Sequence, residues 1–187
     1  MVLADLVNSF HHGYELAIYE FNGFRPVIGE GTWIAPNADV IGNVTIGEHS
    51  YIGFGAIIRG DFAPIAIGDR TAIEENVVIH GAHGVSIGNK VIVGHKVMLH
   101  DTTLHDCCLI GMMSMICDFS EIGEWSIIAE QSMVKKRQKI PPYEIFGGVP
   151  ASKIGVTTQR HQDGLSLGQQ VYGELSTQYT NGLKKIG

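Results

Sequence analysis

His80, His95 and His100 fall within one stretch, Ile73 to Asp101, which reads IEENVVIHGAHGVSIGNKVIVGHKVMLHD. Three neutral imidazoles are the ligand set of an open zinc site, with a fourth position left for water. Zinc held this way keeps its charge, so its water ionises near pH 7 and attacks an electrophilic carbon. The residue types therefore point to a metal-dependent hydratase or hydrolase.

Whether the three histidines can meet depends on what carries them. Around them runs a six-residue repeat: IGEGTW from Ile28, IGEHSY from Ile46, IGFGAI from Ile52, IGDRTA from Ile67 and IGEWSI from Ile122. Self-similarity this short means a solenoid. Counted from Ile28 to Val134 there are eighteen hexads, which at three per triangular coil give six coils. The irregular steps, Ile58 to Ile67, Ile79 to Ile87 and Leu99 to Leu104, all follow a third-face hexad. They therefore share one corner, and insertions in repeat proteins gather on one, often functional, face. His80 follows the inward Ile79 and His100 follows the inward Leu99, so the two rings should stack at the strand spacing of about 4.8 Å. His95 belongs to the preceding second-face hexad, and a second subunit has to supply it.

Other chemistry-bearing residues lie close by. Arg59 and Asp61 flank Gly60 at the same corner, one coil before His80. His83, in the loop after His80, titrates near neutrality and can carry protons away. Glu74 and Glu75 could act as general bases in ester chemistry. His49 and His105 match no motif and are taken as structural or solvent-exposed. Cys107, Cys108 and Cys117 show no CxxC spacing, which suggests reduced thiols and a cytoplasmic setting, with a nucleophilic role for Cys108 or Cys117 as a weaker alternative. Cys108 falls at an inward position.

From Ile18 to Gly155 the chain resembles the gamma-class carbonic anhydrases. The likeness rests on IYEFNGFRPVIGEGTWIAPNADVIGNVTIG, the Arg59-Gly60-Asp61 triplet, NVVIH at 76–80, VGHKVMLH at 93–100 and GGVPASKI at 147–154. It is most similar to the branch holding the phenylacetate-degradation and carnitine-operon proteins. The resemblance implies an all-β solenoid, a left-handed parallel β-helix, assembled as a homotrimer. It also implies zinc, or else iron or cobalt, at each subunit interface on His80, His95 and His100, with an Arg59–Asp61 interface salt bridge. Glu74, Glu75 and Asn76 stand where the family commonly has Gln-Asp-Asn, and Phe62 replaces an acidic residue implicated in proton transfer.

Hydration of carbon dioxide to bicarbonate, a lyase reaction, is thus the first functional expectation. Acyl-CoA thioester hydrolysis at the same site is the second, and a metal-stapled trimer without turnover the third. Acyl transfer from CoA has no clear catalytic histidine here.

The rest of the chain is consistent with one domain of 187 residues. Hydrophobic residues make up 44% against 17% charged, and 24 glycines suit tight corners. A net charge of −6 argues against nucleic acid or an anionic membrane as partner. No apolar run has the length of a membrane span. Residues 1–17 read as an N-terminal extension with no basic leader region, 18–155 as the metal-binding β-helix, and 156–187 as a C-terminal helix. Pro141-Pro142 is expected to end the coils. The helix carries a rough apolar stripe of Leu165, Leu167, Val171, Tyr172, Leu175, Tyr179 and Leu183.

Overall fold

The computed structural model describes residues 16–187. The expected N-terminal extension lies outside these as far as residue 15. A strand of two or three residues buries one aliphatic side chain and cannot stand alone. Stacked coils solve this by pairing each strand with those before and after it. On the third face the inward column Val40, Ile58, Ile79, Leu99, Ile116 and Val134 is entirely shielded, each residue 0% exposed. All the ladders between coils are parallel. The second face is a sheet of its own, whereas the other two merge because strands Asp39–Ile46 and Ile57–Ile67 bend around their shared corner. The molecule is a parallel β-helix followed by one helix, as the hexads require.

Corners need backbone in the left-handed region, usually a glycine conformation. Here Arg70, Lys90, Trp125, Phe119 and Asp101 all adopt it. Ladder bonds on both sides of each corner fix the path regardless of the residue. Glycine is required where coils approach closely: at Gly42 (φ 77) a Cβ would meet the Gly60 carbonyl oxygen at 2.6 Å. Corner carbonyls are satisfied by stacked hydroxyls, including Ser50 Oγ to Gly68 O at 3.0 Å and Thr71 Oγ1 to Gly88 O at 2.9 Å.

The coil pattern does not end at Pro141-Pro142. Strand Lys139–Ile140 pairs with Glu121–Ile122, and Glu144–Gly147 continues the second face. The prolines fall at a corner between strands, where a missing N–H costs no ladder bond. The solenoid ends one strand later, where Ser152–Val156 turns back antiparallel on Glu144–Gly147.

Helix Gln159–Gly182 then lies along the second face. Tyr179 stacks on Trp33 with ring centroids 4.6 Å apart, and Trp33 on Tyr51 at 5.1 Å. Leu165, Tyr172, Leu175 and Tyr179 face the core. Leu167 and Val171 point outward, because at about 100° per residue they sit off the line joining the buried set. No helix among the described residues is long and apolar enough to cross a membrane.

Candidate metal centre

Strands Val78–His80 and Met98–His100 pair in register, which puts His80 directly opposite His100. Since Ile79 and Leu99 point inward, strand alternation turns both imidazoles outward. Their ring centroids are 5.6 Å apart with planes inclined by 59°.

Each ring has a carboxylate partner. Asp61 Oδ1 lies 3.0 Å from His80 Nε2, and Asp118 Oδ1 lies 2.7 Å from His100 Nδ1. Asp61 is ion-paired with Arg59 of the same chain, and Arg59 stands opposite His80 in the ladder. Asp118 is paired in turn with Lys136, whose Nζ is 3.3 Å away. Desolvation works against the Asp61 charge, but hydrogen bonds from Arg59 and His80 outweigh it and hold its pKa below the usual range. For Asp118 the His100 hydrogen bond is the largest influence, desolvation opposes it, and Lys136 helps bring the pKa down.

His83 is tied rather than loose. Asp101 Oδ1 accepts from the backbone N–H of His83 at 2.8 Å and of Gly84 at 3.1 Å, while Oδ2 lies 3.0 Å from His83 Nδ1. The His83 ring meets Phe119 edge-on at 5.0 Å. Gly81 is a glycine because a Cβ there would meet Asp101 Oδ1 at 2.1 Å. Phe62, 74% exposed, lies edge-on to His80.

His95 occupies a different corner, between the second and third faces, so the third face separates it from His80 and His100. Its Nε2 lies 3.1 Å from Glu74 Oε2, and its Nδ1 lies 2.7 Å from Glu75 Oε2. Tyr51 donates to Glu75 Oε1 at 2.7 Å. The Tyr172 hydroxyl, from the helix, is turned to Glu74; burial first, then that hydrogen bond, pushes its pKa up. Within one chain the three histidines therefore fall into a pair and a single.

Among the described residues, the group with donor atoms close enough to share one ion is His100, Asp101 and Asp118. Asp101 is spent on the His83 loop and Asp118 on His100 Nδ1, so this group reads as support for His100. The residues fit a metal centre of another composition. Two outward imidazoles stand side by side, each steadied by a carboxylate on one nitrogen, which leaves His80 Nδ1 and His100 Nε2 for an ion. Histidine ligands characteristically have such partners.

Asp118 and Tyr172 were missed in the sequence. Asp118 could have been found by its place, two residues past the inward Ile116 as Asp101 is past Leu99. The three thiols make poor nucleophiles: burial pushes the pKa of Cys107, Cys108 and Cys117 upward, and Cys108 is fully enclosed.

This fold and histidine pair define the class: a hexapeptide-repeat β-helix with the makings of a metal centre at one corner. Residues 25–60 match the family described as bacterial transferase hexapeptide (six repeats). The chain is 39% identical over 144 residues to a carbonic anhydrase of Geobacillus kaustophilus, covering 76% of this chain and 79% of that protein. It is 31% identical over 159 residues to the mitochondrial gamma carbonic anhydrase 1 of Arabidopsis thaliana, covering 81% of this chain and 58% of that one. The chain thus spans little more than half the length of the plant relative. Among solved structures, a hexapeptide transferase family protein from Anaplasma phagocytophilum superposes with a TM-score of 0.85 at 31% identity, covering 87% of this chain and 98% of the other. The chain belongs to the gamma carbonic anhydrase-like family of hexapeptide-repeat proteins.

Proposed function

We propose that the protein is a metal-dependent lyase that hydrates carbon dioxide to bicarbonate at the interfaces of a homotrimer. The observation that carries this is the register of His80 on His100, which sets two imidazoles side by side on the outer surface. His95 of a neighbouring copy completes the ligand set, since within one chain it sits at the far edge of the third face. A divalent ion there, zinc or else iron or cobalt, supplies a Lewis acid that lets water ionise near neutral pH.

The chain's own groups do the rest. Asp118 fixes the ring of His100 through Nδ1, and Asp61 fixes His80 while Arg59 holds Asp61 in place. His83, fastened by Asp101 at Nδ1 with its side chain 66% exposed, passes the released proton to buffer. Carbon dioxide needs no deep pocket, in keeping with a site on an open corner.

A second reading, hydrolysis of an acyl-CoA thioester at the same ion, is favoured by Glu74 and Glu75, two carboxylates beside His95 where a hydrolase would place a base. Stopped-flow hydration of carbon dioxide by metal-reconstituted protein, run beside an acyl-CoA panel, decides between them. Hydration abolished by His100→Ala supports the first reading. Thioester cleavage without hydration supports the second, and neither activity in metal-loaded protein leaves a non-catalytic staple.

A further inference from the structure

We propose that Glu74 is itself a ligand of the ion, delivered together with His95, so that the protein supplies three imidazoles and one carboxylate. This rests on the three-histidine reading above and goes beyond it, the reacting water then taking a fifth position.

The argument starts from where Glu74 sits. It follows an inward residue on the second face, a place that other coils fill with Ala35, Gly53, Gly94, Gly111 and Ala129. Adjacent coils approach closely there: at Gly94 a Cβ would meet the Ile110 carbonyl oxygen at 2.8 Å. Into this column the chain puts a carboxylate that is only 6% exposed. A buried carboxylate is costly unless it is paired or coordinates a metal. Among the described residues no lysine or arginine pairs with Glu74. Its partners are the backbone N–H of His95 at 3.0 Å, the His95 ring and the Tyr172 hydroxyl.

The two nitrogens of His95 are treated differently. Nδ1 lies 2.7 Å from Glu75, which Tyr51 backs, and this is the outer carboxylate that fixes a ligating histidine's tautomer. That orientation aims Nε2 at Glu74 Oε2, 3.1 Å away. Donors that each stand about 2.0–2.2 Å from one ion are themselves about 2.8–3.6 Å apart, the shorter values belonging to sites with more than four ligands. Nε2 and Oε2 therefore have the spacing of two ligands, and the His95 N–H holds that oxygen in place while Tyr172 engages the same carboxylate. A hard oxygen donor also shifts the site's preference toward metals that accept mixed nitrogen and oxygen sets.

Cobalt(II) is the probe, because its visible absorption reports coordination number without any turnover. The full chain is stripped of metal, titrated with cobalt, and compared with Glu74→Gln, Glu74→Ala, Tyr172→Phe and His80→Ala. The proposal expects Glu74→Ala to bind cobalt about tenfold or more weakly, with altered band positions and intensity. Glu74→Gln, the same shape with a poorer donor, should fall between, and Tyr172→Phe should weaken binding while keeping the parent spectrum. Parent affinity and an unchanged spectrum in both Glu74 variants overturn it. If His80→Ala binds cobalt as tightly as the parent, the three-histidine reading itself fails, whatever the Glu74 variants do.

Discussion

Asp118 Oδ1 lies 2.7 Å from His100 Nδ1, and Lys136 Nζ lies 3.3 Å from the other oxygen of the same carboxylate. His100 is thereby held in one tautomer and one orientation by a residue of the next coil. Replacing a carboxylate in this position typically costs 10–100-fold in metal affinity. Asp118→Asn should lose about that much in a chelator competition while keeping the parent's circular dichroism. An unchanged affinity would mean that Asp118 only pairs with Lys136 at the surface.

The column under the histidines sets the stability. Leu99 is 0% exposed and stacks between Ile79 and Ile116. Leu99→Ala should cost about 2–5 kcal/mol in urea unfolding, from lost transfer energy and the cavity left in a stack that cannot collapse locally. The comparison holds only at one protein concentration, since assembly adds to apparent stability. A loss below about 1 kcal/mol would show that neighbouring coils close the gap.

The cysteines give a pH test. Raised thiol pKa values mean less thiolate at any given pH, and thiolate is the reactive form. At pH 7.5 a disulfide reagent should therefore modify the folded protein slowly and all three thiols rapidly in denaturant. Reactivity should climb as pH is raised past the ordinary thiol range. Fast modification of one thiol at neutral pH would reopen a nucleophilic role for Cys117 or Cys108.

The repeat was legible because each hexad carries its own inward aliphatic, and the constant step fixes which residues share a face. His80 over His100 follows from that arithmetic alone. Pro141-Pro142 misled because proline stops a strand only inside the ladder, and these two sit at a corner. Left-handed corners at Trp125 and Phe119 carry no local sign, since stacking rather than residue preference imposes them. The supports of the site were hidden for a related reason. Tyr172 reaches Glu74 only through docking of the helix, which has no periodic signature, and Asp118, though its place in the repeat matches that of Asp101, reaches His100 through a rotamer that the repeat does not specify.

The last expectation joins assembly to the site. On the third face the outward residues Ile57, Val78, Met98, Met115 and Met133 stand in register as an apolar stripe. Ile57 is 37% and Met115 49% exposed, and Met112 and Met113 extend the patch at the corner that bears His95. The stripe thus separates that corner from the one bearing His80 and His100. A contact that brings His95 of one copy to the histidine pair of the next joins two different surfaces, so it is heterologous and can close only as a ring. Three copies match the assembly implied for the family. Met115→Glu places a charge in the stripe and should convert the proposed trimer to monomer by light scattering. It should weaken metal binding in the same samples, because the pair then lacks its third imidazole. Arg70→Glu, at the opposite corner, should change neither. A Met115→Glu monomer that binds metal as tightly as the parent would show that His95 is not required, and the interfacial site would have to be abandoned.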